Sequence, residues 1–243
     1  MDRLIYLAMS GAKASMQRQE VLSNNLANAS THGFRAELAA LRAVPVRGDG
    51  ASTRVYALET TIGYDATPGA VQPTGRPLDV APKGNAWLAV QALDGTEAYT
   101  RAGSLDLDAD GTLVTRSGLP VLGDGGPITV PAGTQVSIAA DGTVSASADD
   151  GTSTTLGRLK LVVPDGALER GADGLFRAAG GELPASADAR VQSGALEGSN
   201  VSAVETMVAM ITAARQFEQQ MKMLQTAERQ EQQAMRLLTP NGM

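Results

Sequence analysis

Cysteine is absent from the 243-residue chain, and disulfides, thiolate nucleophiles and thiolate metal sites go with it. Histidine occurs once, as His32, so a zinc site would need three carboxylates, a poor match to that metal's preference for nitrogen and sulfur. Aromatic residues make up 3 % of the chain. A single core of this size normally uses more rings, which implies a modest core with much of the chain outside it. A positive balance is missing too: the formal charge of −6 argues against a nucleic-acid partner, whose phosphates need a basic surface. No apolar run reaches membrane-spanning length, which predicts no membrane insertion. The opening "MDRLIYLAMSGAKASMQRQ" is too quickly interrupted by polar residues to be a secretory signal. If the protein leaves the cytoplasm, it is expected to do so without a cleaved signal peptide.

What the chain does have is unevenly distributed. Ten of the eleven prolines fall between Pro45 and Pro184. Glycine is dense between Gly33 and Gly198, whereas the first 32 residues hold only Gly11 and residues 199–241 hold none. Such breaker statistics predict a turn-rich middle between two helical ends.

Met207, Met210, Ala214, Phe217, Met221, Leu224, Glu228, Glu231, Met235 and Leu238 are spaced alternately three and four apart, a heptad seam interrupted by two glutamates. With Gly198 at the entry and Ser199 and Asn200 as candidate N-caps, a helix is expected over 200–238, about 55 Å long at ~1.5 Å per residue. Ile5, Met9, Ala12, Met16, Leu22, Leu26 and Ala29 fall near one face of an N-terminal helix, with "NNLANAS" as its fraying end and Gly33 suited to a left-handed C′ position. The middle alternates short apolar runs with Gly-containing turns. "LDGTE", "DADGT" and "AADGT" all carry Asp-Gly, the strongest short hairpin signal.

The expected fold is therefore α+β. Residues 1–33 form an N-terminal helix, 34–75 an extended connector, 76–197 a β-rich, mainly antiparallel domain, and 198–243 a C-terminal helix; the two long helices make a coiled-coil-like axial domain.

Candidate chemistry is thin. "DLDADG", from Asp106 to Gly111, fits the first half of a calcium loop, but Ser117 stands where the bidentate glutamate is required; a strand ending in a hairpin turn is the better reading. His32 lies at a helix end, where a cation is favoured, and reads as a capping or surface residue. Carboxylate pairs are numerous but lack the aromatic platforms of a carbohydrate site. No catalytic residues, metal site or cofactor are assigned, and the protein is expected not to be an enzyme. The nine methionines are more informative, because thioethers suit surfaces that repack against non-identical neighbours.

Three stretches carry a resemblance. "NNLANASTHGFR" presents Asn24, Asn25, Leu26, Ala27, Asn28, Thr31, Gly33 and Phe34 followed by a basic residue. "LEGSNVSAVETMVAMITAARQFE" presents Gly198, Ser199, Asn200, Val201, Met210, Ile211, Arg215, Phe217 and Glu218. Between them lie "TGRPLDVA", "YTRAGSL" and "DGTLVTRSGLPVLG". In these the chain resembles the flagellar basal-body rod and hook family of axial proteins, and within it the proximal rod members more than the distal ones. The resemblance implies a structural subunit of a periplasm-spanning rod, moved by the flagellar type III export apparatus. It also implies assembly with other proximal and distal rod proteins into a helical tube through the terminal helices, where Met207, Met210, Ile211, Ala214, Phe217, Met221 and Leu224 would take part. A peptidoglycan hydrolase and a β binding module on a helical stalk are the rival expectations from other classes.

Overall fold

The computed structural model describes residues 2–45, 55–148 and 151–238. Helix α1 runs Asp2–Ala27 and helix α2 Ala203–Leu238. Among the described residues, eighteen strands lie between them. The chain divides into two units. A helical unit comprises Met1–Ala27, Glu37–Gly63 and Val201–Met243; a β unit comprises Asn28–Ala36 and Tyr64–Asn200.

In the helical unit, α1 and α2 lie against each other. Their least exposed positions recur four and three residues apart. On α2 these are Thr206, Met210, Ala213, Phe217, Gln220, Leu224 and Ala227; on α1 they include Ala8, Ala12 and Ser15. Small residues dominate the seam, so the backbones come close. A Cβ on Gly11 would stand 2.9 Å from the Gln220 side-chain amide carbon. The helical unit also holds β1 (Glu37–Pro45) and all but the last residue of β2 (Val55–Tyr64), which pair as a two-stranded sheet. Within the segment expected as a connector, 34–75, the described residues thus include two paired strands.

Both helix boundaries differ in detail from those expected. Helix α1 ends at Ala27, so Gly33 is not its C′ residue; five residues separate them. Helix α2 starts at Ala203, with neither Ser199 nor Asn200 as its cap. Ser202 takes that place: its Oγ accepts from the Glu205 N–H at 3.4 Å and its carbonyl from the Thr206 N–H at 2.9 Å. Ser202 and Glu205 have the spacing of a capping box, which leaves Asn200 available to the β unit.

The β unit introduces β3 (Val71–Pro73), β4 (Val80–Pro82), β5 (Trp87–Gln91) and β6 (Glu97–Thr100). Its largest sheet has the order Leu161–Val162, β5, β6, Phe176–Arg177, Glu169–Arg170, every neighbour antiparallel. The strand Ala195–Glu197 pairs with β3, and Val191–Ser193 with β4. The Asp-Gly sites of the three quoted motifs, at 94–95, 110–111 and 141–142, are hairpin turns. At 94–95 and 141–142 the dipeptide's own aspartate accepts a backbone N–H two residues on, Asp94 from Thr96 and Asp141 from Thr143, whereas at 110–111 the acceptor is the preceding Asp108, from the Asp110 N–H, all three in Asx geometry. The carboxylate of Asp108, weighed above against a calcium loop, is used to close its own turn, also accepting from the Thr112 N–H. The main core gathers Val80, Leu88, Val90, Leu105, Leu113 and Val121 among others. A second cluster stacks Tyr64, Trp87 and Phe176, with ring centroids 4.7–6.0 Å apart.

Candidate assembly site

Helix α1 turns Ile5, Ala8, Ala12 and Ser15 inward, which puts Tyr6, Met9 and Met16 on a different stripe, 55, 54 and 50 % exposed. Lys13 falls on the same stripe, at the three-four spacing of one helix face. On α2 the equivalent stripe is Val204, Val208 and Ile211, 72, 60 and 55 % exposed, with Met207 alongside. The helix pair therefore buries mainly small residues and leaves a row of large apolar ones on the outside, unlike an isolated amphipathic pair. Contiguous large apolar side chains left to solvent mark an interaction surface.

The residues singled out on α2 divide between these faces. Met210, Ala214, Phe217 and Leu224 are half-buried along the seam, whereas Met207, Ile211 and Met221 lie on the exposed flank. The heptad read from the sequence favoured bulky residues for the inner positions. Close approach of α1, lined by alanine, serine and glycine, gives part of that place to Thr206, Ala213 and Ala227 instead.

The asparagine-rich motif resolves into two sets of bonds. Asn25, at the end of α1, grips β1 like a neighbouring strand: its Oδ1 accepts from the Glu37 N–H at 2.8 Å and its Nδ2 donates to the Glu37 carbonyl at 3.0 Å. Asn24 donates to the Glu37 carboxylate at 3.4 Å. Leu26 is half-buried and Ala27 exposed at the helix end. From Asn28 onward the motif belongs to the β unit. Asn28 accepts from Thr31 through both its carbonyl and its side chain. His32 is half-buried in the turn that follows. The Phe34 ring lies under the Arg170 guanidinium, 4.6 Å from its centre.

Gly33 is required twice over. Its φ of +71° lies in the left-handed region, and a Cβ there would come within 2.3 Å of the Arg101 backbone carbonyl carbon. The same glycine donates its N–H to the Glu197 carbonyl at 2.8 Å.

Beyond the strand Ala195–Glu197, Gly198 donates to the Ala70 carbonyl at 2.9 Å. Ser199 and Val201 are half-buried on either side of Asn200. Asn200 ties three segments together: its Oδ1 accepts from the Ala36 N–H at 2.7 Å, and its Nδ2 donates to the Asp65 and Thr67 carbonyls, each at 3.0 Å.

At the centre of the β unit lies a cluster the sequence reading did not assign. Glu197, 1 % exposed, is held between Arg35 and Arg101, themselves 3 and 2 % exposed. Its Oε1 receives Arg35 Nη2 at 2.7 Å and the Gly69 N–H at 3.0 Å; its Oε2 receives Arg101 Nε at 2.7 Å and Arg101 Nη2. Arg101 also donates to the carbonyls of Pro82, Gly84 and Ala86 at 2.6–3.0 Å, and stands 5.7 Å from the Trp87 ring centre. Burial holds the Arg35 guanidinium below its ordinary value, and the Glu197 carboxylate offsets that shift. The signal was present in the sequence: Arg35 closes "THGFR", Arg101 lies in "YTRAGSL" and Glu197 in "LEGSN". Three separately noticed motifs meet at one buried carboxylate.

Residues 5–35 match the family described as flagella basal body rod protein, residues 81–146 the flagellar hook protein FlgE/F/G D1 domain, and residues 192–237 the flagellar basal body rod FlgEFG protein C-terminal family. The flagellar basal-body rod protein FlgF of Salmonella typhimurium is 48 % identical over 98 % of this chain and 99 % of its own length, and that of Escherichia coli matches equally. FlgF of Caulobacter vibrioides is 35 % identical over 94 % of this chain and 95 % of its own. FlgG of Agrobacterium fabrum is 32 % identical over 93 % of this chain and 95 % of its own. With likeness of this degree running from the first helix to the last, the chain belongs to the flagellar basal-body rod protein family.

Proposed function

We propose that the protein is a non-enzymatic structural subunit of the bacterial flagellar basal-body rod, built into a helical assembly with other proximal and distal rod proteins through α1 and α2. In this reading the helices form the coiled-coil-like axial part of the tube, the β unit adds lateral contacts, and the whole transmits torque. The subunit reaches its place in the periplasm through the flagellar export apparatus, without a cleaved signal.

The observation that carries the assembly role is the outward apolar stripe on each helix. Tyr6, Met9, Met16, Val204, Val208 and Ile211 are each at least half exposed, and covering such a side chain contributes about 1 kcal/mol. A surface of this kind favours contacts that propagate from one subunit to the next.

The test is Ile211→Asp in a motile strain that depends on this protein. Loss of the subunit from purified basal bodies, together with loss of motility, is the expected result. Normal incorporation of the variant would remove the α2 stripe from the interface.

A further inference from the structure

Glu197, Arg35 and Arg101 come from three distant parts of the chain. Arg101 follows β6, Glu197 ends the last strand before α2, 96 positions later, and Arg35 lies in the short segment Asn28–Ala36, which the chain contributes to the β unit before it makes β1 and β2. With all three in place the charges alternate, and every oxygen of the carboxylate has donors. With Glu197 missing, two guanidiniums would share a water-poor site. Arg101 would keep its three carbonyl acceptors and Arg35 its bond to the Thr67 carbonyl, but neither would have a counter-charge. The Arg101 charge already disfavours the charged form of Arg35 in the folded protein. A buried cation stripped of its partner is among the most destabilising single changes a fold can suffer.

The backbone repeats the arrangement. The Gly33 N–H bonds the Glu197 carbonyl and the Asn200 N–H bonds the Phe34 carbonyl at 3.4 Å, so the segment that delivers Arg35 docks directly on the segment that delivers Glu197. Gly33 also lies against the Arg101–Ala102 backbone. All three charges therefore arrive on pieces of chain that touch one another only in the finished unit.

We propose that Arg35, Glu197 and Arg101 form a closure lock: the β unit reaches its folded state only when the Glu197 carboxylate neutralises two arginines that otherwise repel, so folding waits until residues 28–36 and 195–200 have both docked. A chain complete only as far as β6 and the strands after it holds Arg101 without an anion. A chain complete through Glu197 but with 28–36 undocked holds the anion with one cation and leaves the Gly33 and Phe34 backbone bonds unmade. The lock thus makes the family's N-terminal motif, from Asn28 to Arg35, part of the β unit's folding step.

The full-length chain carries its own reporter. Trp87 is the only tryptophan, is 2 % exposed and sits beside Arg101, so its emission follows the β unit. Glu197→Gln is expected to lower the thermal midpoint of the Trp87 signal by about 10 °C and to slow refolding from urea by about tenfold. An unchanged refolding rate would overturn the lock. Because Glu197→Gln alone could fail to fold, the deciding variant adds Arg35→Met to it. Removing one of the two repelling charges should restore part of the midpoint and of the refolding rate. A double variant no better than Glu197→Gln would show that the carboxylate acts as a local contact only, and the proposal would fall.

Discussion

The two units solve the problem of burial in opposite ways. In the β unit the large side chains are inside. Trp87, Tyr99, Leu88 and Leu105 are at most 2 % exposed, and even a carboxylate and two guanidiniums are buried with their hydrogen bonds met almost throughout. In the helical unit the fully buried seam positions are alanine, serine and threonine, with Met210, Phe217 and Leu224 only half-buried between them, while Tyr6, Met9, Val204 and Ile211 face solvent. Its small members bury little apolar area, so the helix pair gains less from its own association than the β unit does from its core. The difference teaches where each unit finds its stability. The β unit draws it from within the chain; the helices have apolar surface still to cover.

That contrast can be broken or sharpened by substitutions read on the Trp87 signal, which reports the β unit. The largest effect is expected from glycine. Gly33→Ala places a Cβ against backbone and into a left-handed φ, and should cost about 3 kcal/mol in urea unfolding followed by Trp87 emission. Gly11→Ala in the helical unit meets only the end of a flexible glutamine side chain, and should shift helix stability, followed by circular dichroism, by less than about 1 kcal/mol. Equal losses at the two positions would erase the distinction between a closely fitted unit and a forgiving one.

A smaller effect is expected from Asn200→Ala, which removes three side-chain bonds to backbone groups and should lower the Trp87 unfolding free energy by about 2 kcal/mol. Smaller still is the response to acid. Asp65, Asp94, Asp141 and Asp173, all in the β unit, are held below the ordinary 3.8: Asp65 and Asp94 chiefly by the hydroxyls of Thr67 and Thr96, Asp141 by the Thr143 N–H, and Asp173 by the Arg177 side chain. A carboxyl whose folded value is depressed contributes stability above its unfolded value and loses it as pH falls through the folded one. The Trp87 thermal midpoint should therefore be level above pH 5 and decline below about pH 4. A midpoint that rose on acidification would contradict these four turns.

Local features were legible in the sequence. Breaker-poor ends gave both helices, and the Asp-Gly dipeptides at 94–95, 110–111 and 141–142 gave hairpin turns, because helix propensity and turn geometry are decided within a few residues. The Ser202 cap was missed in favour of Ser199 and Asn200, although Glu205 three residues on carried the capping-box signal. The helical faces were half legible. Periodicity set the spacing but not which of two adjacent apolar rows turns inward, since that depends on how small the partner's residues are. The charge cluster was illegible as a site. Nothing in the order of residues says that Arg35 and Arg101 converge on Glu197; only the fold brings together positions so far apart. The motifs that contain them were noticed for their form, and the structure supplies the physical reason for three of their members.

The path of the chain has a consequence for exchange between relatives. The β unit is an insertion between two helices whose sequence begins before the β1–β2 pair, at Asn28, and not at Tyr64 alone. A graft that imports residues 64–200 while keeping the resident 28–36 would join a foreign anion and a foreign arginine to a native one, with a native glycine laid on a foreign backbone. The transferable module is discontinuous. Its short first piece, nine residues from Asn28 to Ala36, has to travel with the long second one, whatever happens to the strands that separate them.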